Sequence, residues 1–361
     1  MPDEALDPTN LAILFNMPSP KALITGINGQ DGAYLAYSLL NSGYEVFGTS
    51  GSTAKSKNWR LEALGIAENE FLTLLDWDIT DTNQTQSLLA ELKPDEIYNL
   101  ASHSFVGDSL FEPQVTTLVS GFAPVSIMDA LATSCPSARF FQAGSSEMFG
   151  NATSSPQNED SGFFPRNIYG TAKVLAHSAT VNYRQTGGLF TASGILYNHE
   201  SPLRGSEFVT KKITSTVAKV KLNQVEQLKI GNLSSLRDWG YAPEYVEAMR
   251  LIVSHPKPET FVISSGIATS VRDFVKAAFN ALDIDISFEG SGIHEVGYET
   301  NSGRKLVSVE KEFYRESEAV TLVGDSGKAH KLLGWRAETP VEEIVGLMVR
   351  QDFDDLKVAK G

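Results

Sequence analysis

Residues 21–48 read KALITGINGQDGAYLAYSLLNSGYEVFG, and the order of features in them sets the architecture. An apolar run from Lys21 to Thr25 breaks at Gly26; Gly26, Gly29 and Gly32 then stand three residues apart, and an amphipathic segment runs on to Gly43. Glycine at these steps permits a tight turn and lets a ligand approach the backbone closely. The helix N-terminus that follows offers free N–H groups and a partial positive charge to a pyrophosphate. Gly43 sits where a helix takes a C′ glycine. Strand, glycine loop and helix in that order predict a dinucleotide site at the first strand of the fold.

Outward from this stretch, short apolar runs alternate with helix-like segments as far as about residue 200, the pattern of a parallel sheet covered on both faces. The expected strands are KALIT (21–25), YEVFGTS (44–50), FLTLL (71–75), EIYNLA (96–101), ARFFQAG (138–144) and LFTASGILYN (189–198). After residue 200 the rhythm loosens. TFVISSG (260–266) reads as one more core strand, while 201–240 and 285–325 are rich in loops and in basic and polar residues. The fold class expected is α/β: a Rossmann-type doubly wound parallel sheet with a smaller C-terminal α/β substrate-binding part. Its division would be an N-terminal extension over 1–20, the sheet domain over 21–200 with the late strand added, and a binding part over 201–350 interleaved with it.

The totals narrow the function classes. The 361 residues carry 44 acidic and 30 basic side chains, a net charge of −14. Generic nucleic-acid or anionic-membrane binding needs a basic surface, so neither partner is expected. Cys135 is the single cysteine, which rules out an internal disulfide or a cysteine metal cluster and fits a reducing, cytoplasmic setting. The first residues, MPDEALDPTNLAILFNMPSP, lack a basic n-region, and their apolar patch is too short to span a bilayer.

The end of the second strand discriminates between cofactors. An NAD site usually places an acid there for the ribose 2′-hydroxyl, whereas this chain reads GTSGSTAKSKNWR. Hydroxyls at Thr49, Ser50, Ser52 and Thr53 with cations at Lys55, Lys57 and Arg60 suit a 2′-phosphate and favour NADP; the other reading is a solvated basic loop. Asp78 and Ile79, after the third strand, would flank an adenine. Further on, RNIYGTAKVLAHS places Tyr169 and Lys173 four apart on one helix face. A lysine beside a phenol favours the phenolate, so Tyr169 would take a proton from a substrate hydroxyl. Ser145 and Glu147, in QAGSSEMFGN (142–151), end an intervening strand with a hydroxyl and an acid.

Together these motifs resemble the extended short-chain dehydrogenase/reductases and, within them, the GDP-mannose 4,6-dehydratase family, from about Lys21 to about Val349. The stretches that carry the resemblance include ALITGINGQDGAYL, EIYNLASHSFV, SSEMFG, YGTAK, GILYNHESPLRGSEFVTKKI, GNLSSLRDWG, EYVEAM, HEVG, YRESEAV and GDSGKA. The resemblance implies a hydro-lyase that converts GDP-mannose to GDP-4-keto-6-deoxymannose with a tightly bound, recycled NADP. Ser145, Glu147, Tyr169 and Lys173 would be catalytic: Tyr169 removes the O4 proton during C4 oxidation, Glu147 removes the C5 proton before water leaves C6, and C6 is then reduced. It also implies cofactor contacts from Gly26, Asn28, Gly29, Gln30, Asp31, Gly32, Ser52, Asp78, Ile79, Leu100, Ala101, Ser102, Ser104, His199 and Arg204, besides Tyr169 and Lys173. Substrate contacts would come from Ser109, Asn198, Val209, Lys212, Arg237, Arg315 and Glu318. A homodimer or homotetramer is implied, with the segments around 115–133 and 169–185 paired between subunits.

Several positions depart from the family pattern. Gly51 and Ser52 replace paired arginines, Leu203 replaces an arginine, Ser145 a threonine and Phe149 a tyrosine, while His103 and Phe105 stand for glutamine and histidine beside the sugar. An altered sugar wall leaves open another GDP-hexose or a GDP-heptose as substrate. A non-catalytic NADP-binding regulator is a remoter alternative.

Overall fold

The computed structural model describes residues 18–49, 58–104, 108–315 and 321–358. In chain order it has strand β1 (Lys21–Thr25), helix α1 (Gln30–Leu40), β2 (Glu45–Thr49), α2 (Trp59–Ala63), β3 (Leu72–Leu75), α3 (Thr82–Leu92) and β4 (Glu96–Asn99). The long helix α4 (Pro113–Ser134), β5 (Arg139–Ala143), α5 (Ile168–Gly187) and β6 (Thr191–Leu196) complete the first stretch. Then come β7 (Asn198–Glu200), α6 (Val209–Lys221), β8 (Leu228–Ile230), β9 (Leu236–Tyr241), α7 (Ala242–Ser254) and β10 (Thr260–Ile263). The chain ends with β11 (Ala268–Ser270), α8 (Val271–Asn280), β12 (Ile286–Glu289), β13 (Val296–Glu299), β14 (Lys305–Val309), α9 (Gly327–Leu333) and α10 (Val341–Val358).

Seven parallel strands form the central sheet in the order β10-β6-β5-β4-β1-β2-β3, the doubly wound arrangement expected. The direction of winding reverses between β1 and β4, which opens a crevice at their C-terminal ends, the place where such sheets bind ligands. Alternate side chains feed opposite faces, as a two-residue period requires. Ala22, Ile24, Tyr98 and Phe141 pack with Leu35 and Leu39 of α1 and Val246 and Met249 of α7. Leu23, Ile97 and Phe140 pack on the other side with Leu89 of α3 and Ile127 and Leu131 of α4.

One expected strand divides. LFTASGILYN leaves the large sheet at Leu196, and from Asn198 the chain pairs with β9 in a small sheet ordered β11-β9-β7. Tyr197 is the pivot: its N–H donates to the Ile263 carbonyl and its hydroxyl to Gln157. A second apolar cluster gathers α6, α8 and α10 against the sheet β12-β13-β14-β8, with Phe274, Phe279, Val307 and Met348 fully buried.

Helix α4 contains a π-helical turn, Leu118–Phe122, between regular α-helical segments. By length and composition it is the one helix among the described residues long and apolar enough to cross a bilayer, yet half of it is buried inside the fold, as a core helix is. Its outer side exposes Val115, Leu118 and Phe122, and α5 beside it exposes Ile168 and Leu175.

The corner after β6 is tied to α1 by a buried ion pair. His199 Nε2 lies 2.8 Å from Asp31 Oδ2, its Nδ1 lies 2.7 Å from the Tyr197 carbonyl, and the ring stacks on Tyr245 at 4.5 Å. Burial alone would hold Asp31 up and His199 down; their mutual attraction overrides it, so Asp31 titrates below and His199 above its ordinary range. The aspartate's contribution to stability is therefore present above about pH 4 and lost as pH falls through its lowered folded value. The histidine's is complete below about pH 6.5 and lost as pH rises through its raised folded value. Removing one partner leaves a buried charge uncompensated, so Asp31→Asn should cost about 3 kcal/mol in urea denaturation. The gap from wild type should be widest between about pH 4 and 6.5 and narrow above that range; a gap that is constant toward alkaline pH would mean that His199 is uncharged.

Candidate active site

Three strands of the large sheet are locked at their C-terminal ends by fully buried side chains. Thr25 Oγ1 donates to Asn99 Oδ1 (2.7 Å), Asn99 Nδ2 to Gln142 Oε1 (2.9 Å), and Gln142 Nε2 to the Ala143 carbonyl (2.9 Å). The N–H groups of Leu100 and Ala101 donate to Thr25 Oγ1 at 3.1 and 3.0 Å. Neutral groups so buried are retained only when paired. This row fixes both the glycine loop and the segment opposite it.

The glycine loop fills the crevice between β1 and β4. Gly26 has φ +73°, and a Cβ on it would lie 2.9 Å from the Ala101 Cα; a Cβ on Gly32 would lie 2.4 Å from the Gly26 carbonyl oxygen. Only glycine satisfies both positions. Gly29 caps α1 without a side-chain hydrogen bond. Asn28 is 8% exposed, and both polar atoms of its side chain are buried with no partner among the described residues. Gln30 and Asp31 instead turn inward: Gln30 donates to the His199 carbonyl and accepts from Ser201, and Asp31 holds His199.

Arg60 reaches this loop from α2, its Nη1 donating to the Asn28 carbonyl (2.8 Å) and its Nε to that of Leu203 (2.7 Å). Arg204 pairs with the buried Glu200 at 3.1 Å and lies over the Phe208 ring at 3.5 Å. Asp78 closes a turn by accepting the N–H and hydroxyl of Thr80, which lowers its pKa, while Ile79 beside it is buried. Ser52, with Ser50, Gly51, Thr53, Lys55 and Lys57, lies outside the described residues.

The four residues expected to be catalytic come together beyond β5. Tyr169 and Lys173 are buried on the first turns of α5. The Ser145 and Ser102 hydroxyls both lie close enough to the Tyr169 hydroxyl to favour its ionised form, and Ser102 Oγ lies 2.8 Å from Ser120 Oγ in the π turn of α4. The expected electrostatics differ in one respect. Burial pushes the Tyr169 phenol up to about 12, against the pull of the Ser145 hydroxyl, with the nearby Glu147 carboxylate raising it further. Lys173 is drawn down to about 8 by burial and donates to the Ala143 carbonyl at 2.8 Å, with Nζ 5.8 Å from the Tyr169 ring centre. Its ammonium supports the tyrosine across the ring and does not by itself produce a phenolate.

Glu147 sits on a single 3-10 turn, Ser146–Met148, whose N-cap Ser145 accepts the Glu147 N–H at 3.2 Å. Its carboxylate receives Asn167 Nδ2 at 2.7 Å on one oxygen and faces Arg166 at 3.7 Å on the other. Neither neighbour is singled out by sequence reading. The signal for Asn167 is its place two residues before Tyr169, where a helix N-cap belongs; Ser120 leaves no signal, because a π turn has no clear sequence mark.

The residues expected to face substrate are spread over the smaller sheets. Asn198 is on β7, Val209 and Lys212 open α6, Arg237 is on β9, and Arg315 follows β14. Lys212 Nζ lies over the Phe313 ring at 3.9 Å, and Asn232 donates to the Arg315 carbonyl, so Lys212 and Arg315 meet the same short segment, 313–315. Ser109 is fully buried on a short 3-10 turn, and Ser104 is exposed. Glu318 lies outside the described residues. Arg272, a cation not expected from the motifs, pairs with the buried Glu295 and donates to Ser234.

Solved structures share the fold: UDP-glucose 4-epimerase from Thermotoga maritima (TM-score 0.76, 19% identity, covering 93% of this chain and 99% of that one), and dTDP-glucose 4,6-dehydratase from Bacillus anthracis (TM-score 0.75, 14% identity, 94% and 98%). Sequence relatives are nearer. The GDP-mannose 4,6 dehydratase of Cricetulus griseus is 41% identical over 93% of this chain and 92% of its own. GDP-mannose 4,6 dehydratase 2 of Caenorhabditis elegans is 42% identical over 92% and 88%. The family model for GDP-mannose 4,6 dehydratase matches residues 23–348, which takes in the glycine loop, the Ser145–Glu147 turn, α5 and the 313–315 segment, and the chain accordingly belongs to that family.

Proposed function

We propose that the protein is a hydro-lyase that converts GDP-mannose to GDP-4-keto-6-deoxymannose. The observation that carries this reading is Glu147. A carboxylate stands beside a buried Tyr169–Ser145 pair, held by Asn167 and Arg166. Simple oxidation or reduction at C4 needs only the tyrosine; a second base is needed to take the proton from C5.

The residues at hand suit a nicotinamide dinucleotide. The buried, unpartnered Asn28 amide and the crowded Gly26 and Gly32 form a cradle for a pyrophosphate. Held there, an oxidised nicotinamide would supply a positive ring charge and a store for the hydride that leaves C4 and is needed at C6. Tyr169 acts as the phenolate and takes the O4 proton, the Ser145 and Ser102 hydroxyls, the Lys173 ammonium and the positive ring favouring that ionised form beforehand. The ketone at C4 acidifies C5–H, and Glu147 removes that proton. The same carboxyl then protonates the departing C6 hydroxyl, so water leaves with the C5 proton and Glu147 is ionised again. Solvent supplies the new C5 proton and accepts the O4 proton from Tyr169; the balance is the loss of one water. NADP is the form we favour, recycled without leaving, with Arg60 at the loop and further cations in the 50–57 segment. The apolar side chains exposed on α4 and α5 suit an isologous contact between two copies. A net charge of −14 and a single cysteine are what favour a cytoplasmic enzyme without membrane or nucleic-acid partner.

Purified protein incubated with GDP-mannose in deuterated water should yield a 4-keto-6-deoxy sugar with deuterium at C5, read by NMR and mass spectrometry. Turnover only with another GDP-hexose or a GDP-heptose would change the substrate and keep the mechanism; cofactor binding with no sugar turned over would support a regulator. Glu147→Gln and Tyr169→Phe should each lower kcat by about 10²–10⁴-fold while GDP binding is retained, and an unaffected Glu147→Gln enzyme would remove the assigned role. In calorimetric titrations NADP should bind at least about tenfold tighter than NAD, a difference near 1.4 kcal/mol; equal affinities would remove the NADP assignment.

A further inference from the structure

We infer that Asn167 is a positioning residue that fixes Glu147 relative to Tyr169. This rests on the proposed role of Glu147 as the C5 base. Asn167 is the N-cap of α5, in extended backbone with φ −144° and ψ 163°. Its Oδ1 accepts the Gly170 N–H at 2.7 Å, and its Nδ2 donates to Glu147 Oε2 at 2.7 Å. The amide has one workable orientation, because an N–H can only donate and a carboxylate can only accept. One planar group therefore starts the helix that carries Tyr169 and Lys173 and also holds the acid.

The contact is reinforced from two sides. A Cβ on Gly170 would lie 2.5 Å from the Glu147 carbonyl oxygen, so the first turn of α5 rests directly on the backbone of the acid. Arg166 Nη2 stands 3.7 Å from the other carboxylate oxygen. Glu147 otherwise rides on a three-residue turn, with three side-chain torsions to settle. Loss of a fixed approach to the reacting atom is costly in rate.

Helix capping alone does not account for asparagine here. Serine or aspartate caps a helix about as well, but serine is too short to reach Glu147 and aspartate has no proton to donate. The residue type answers to the acid as well as to the helix.

The test uses exchange of the C5 proton of GDP-4-keto-6-deoxymannose in deuterated water, which requires removal and return of that proton and no turnover of the sugar. In Asn167→Ser the cap is kept, so the Tm should stay within about 1 °C of wild type and GDP affinity should hold, while exchange falls about tenfold or more. In Asn167→Ala exchange should fall as far, with the Tm also lower by roughly 2 °C. If Glu147→Gln abolishes exchange and Asn167→Ser leaves it intact, the positioning role is overturned and the C5 base stands. Exchange undiminished in Glu147→Gln would overturn the reading of the acid itself. Exchange lost only where Tm is lost would assign Asn167 to capping alone.

Discussion

The site depends on the row of buried hydrogen bonds that runs from Thr25 through Asn99 and Gln142 to the Ala143 carbonyl. None of these groups is charged, so no Born penalty opposes their burial, and in a low-dielectric interior each partner is strongly held. The row sets the heights of three strand ends relative to one another. The glycine loop leaves from the first, the Leu100–Ala101 segment from the second, and the Ser145–Glu147 turn from the third. Lys173 is anchored on the same Ala143 carbonyl, which brings α5 into register with the sheet edge. Chemistry that needs a hydroxyl, a phenol, an ammonium and a carboxylate in one place thus begins with an amide ladder that touches no substrate.

Much of this was legible in the sequence, for reasons that differ by residue. Gly26 and Gly32 announce themselves because no other side chain fits against Ala101 and the Gly26 carbonyl. Tyr169 and Lys173 are visible because helical spacing alone brings them to one face. The strands were legible because parallel strands buried on both faces are nearly continuous apolar runs. What sequence reading missed is mostly partnership. Asp31 and His199 stand 168 residues apart in the chain, and no local pattern says that they neutralise each other. The break between β6 and β7 falls inside a uniform apolar stretch and follows from pairing with β9, which is tertiary. Asp78 shows the opposite case: its turn with Thr80 lies within three residues of chain.

Net charge describes the chain poorly at the scale of the site. A total of −14 coexists with Arg60 at the glycine loop, Arg204 against Phe208, and Lys212 against Phe313. Arg60 is braced by carbonyls, Arg204 by an acid and a ring, and Lys212 by a ring. Side chains held in this way have little rotamer entropy left to lose in any further contact.

The π turn in α4 bears on how the chain can change length. A π turn holds one residue more than the α-helix it interrupts. Loss of a single residue between Leu118 and Phe122 would close the turn and leave the helix on either side on its present face. The same loss between Ala123 and Ser126 would rotate everything beyond it by about 100°, swinging Ile127 and Leu131 out of the core they now fill. The π turn thus gives the middle of this helix a place to lose one residue, the five residues Leu118–Phe122, and Ser120, which meets Ser102, stands among them.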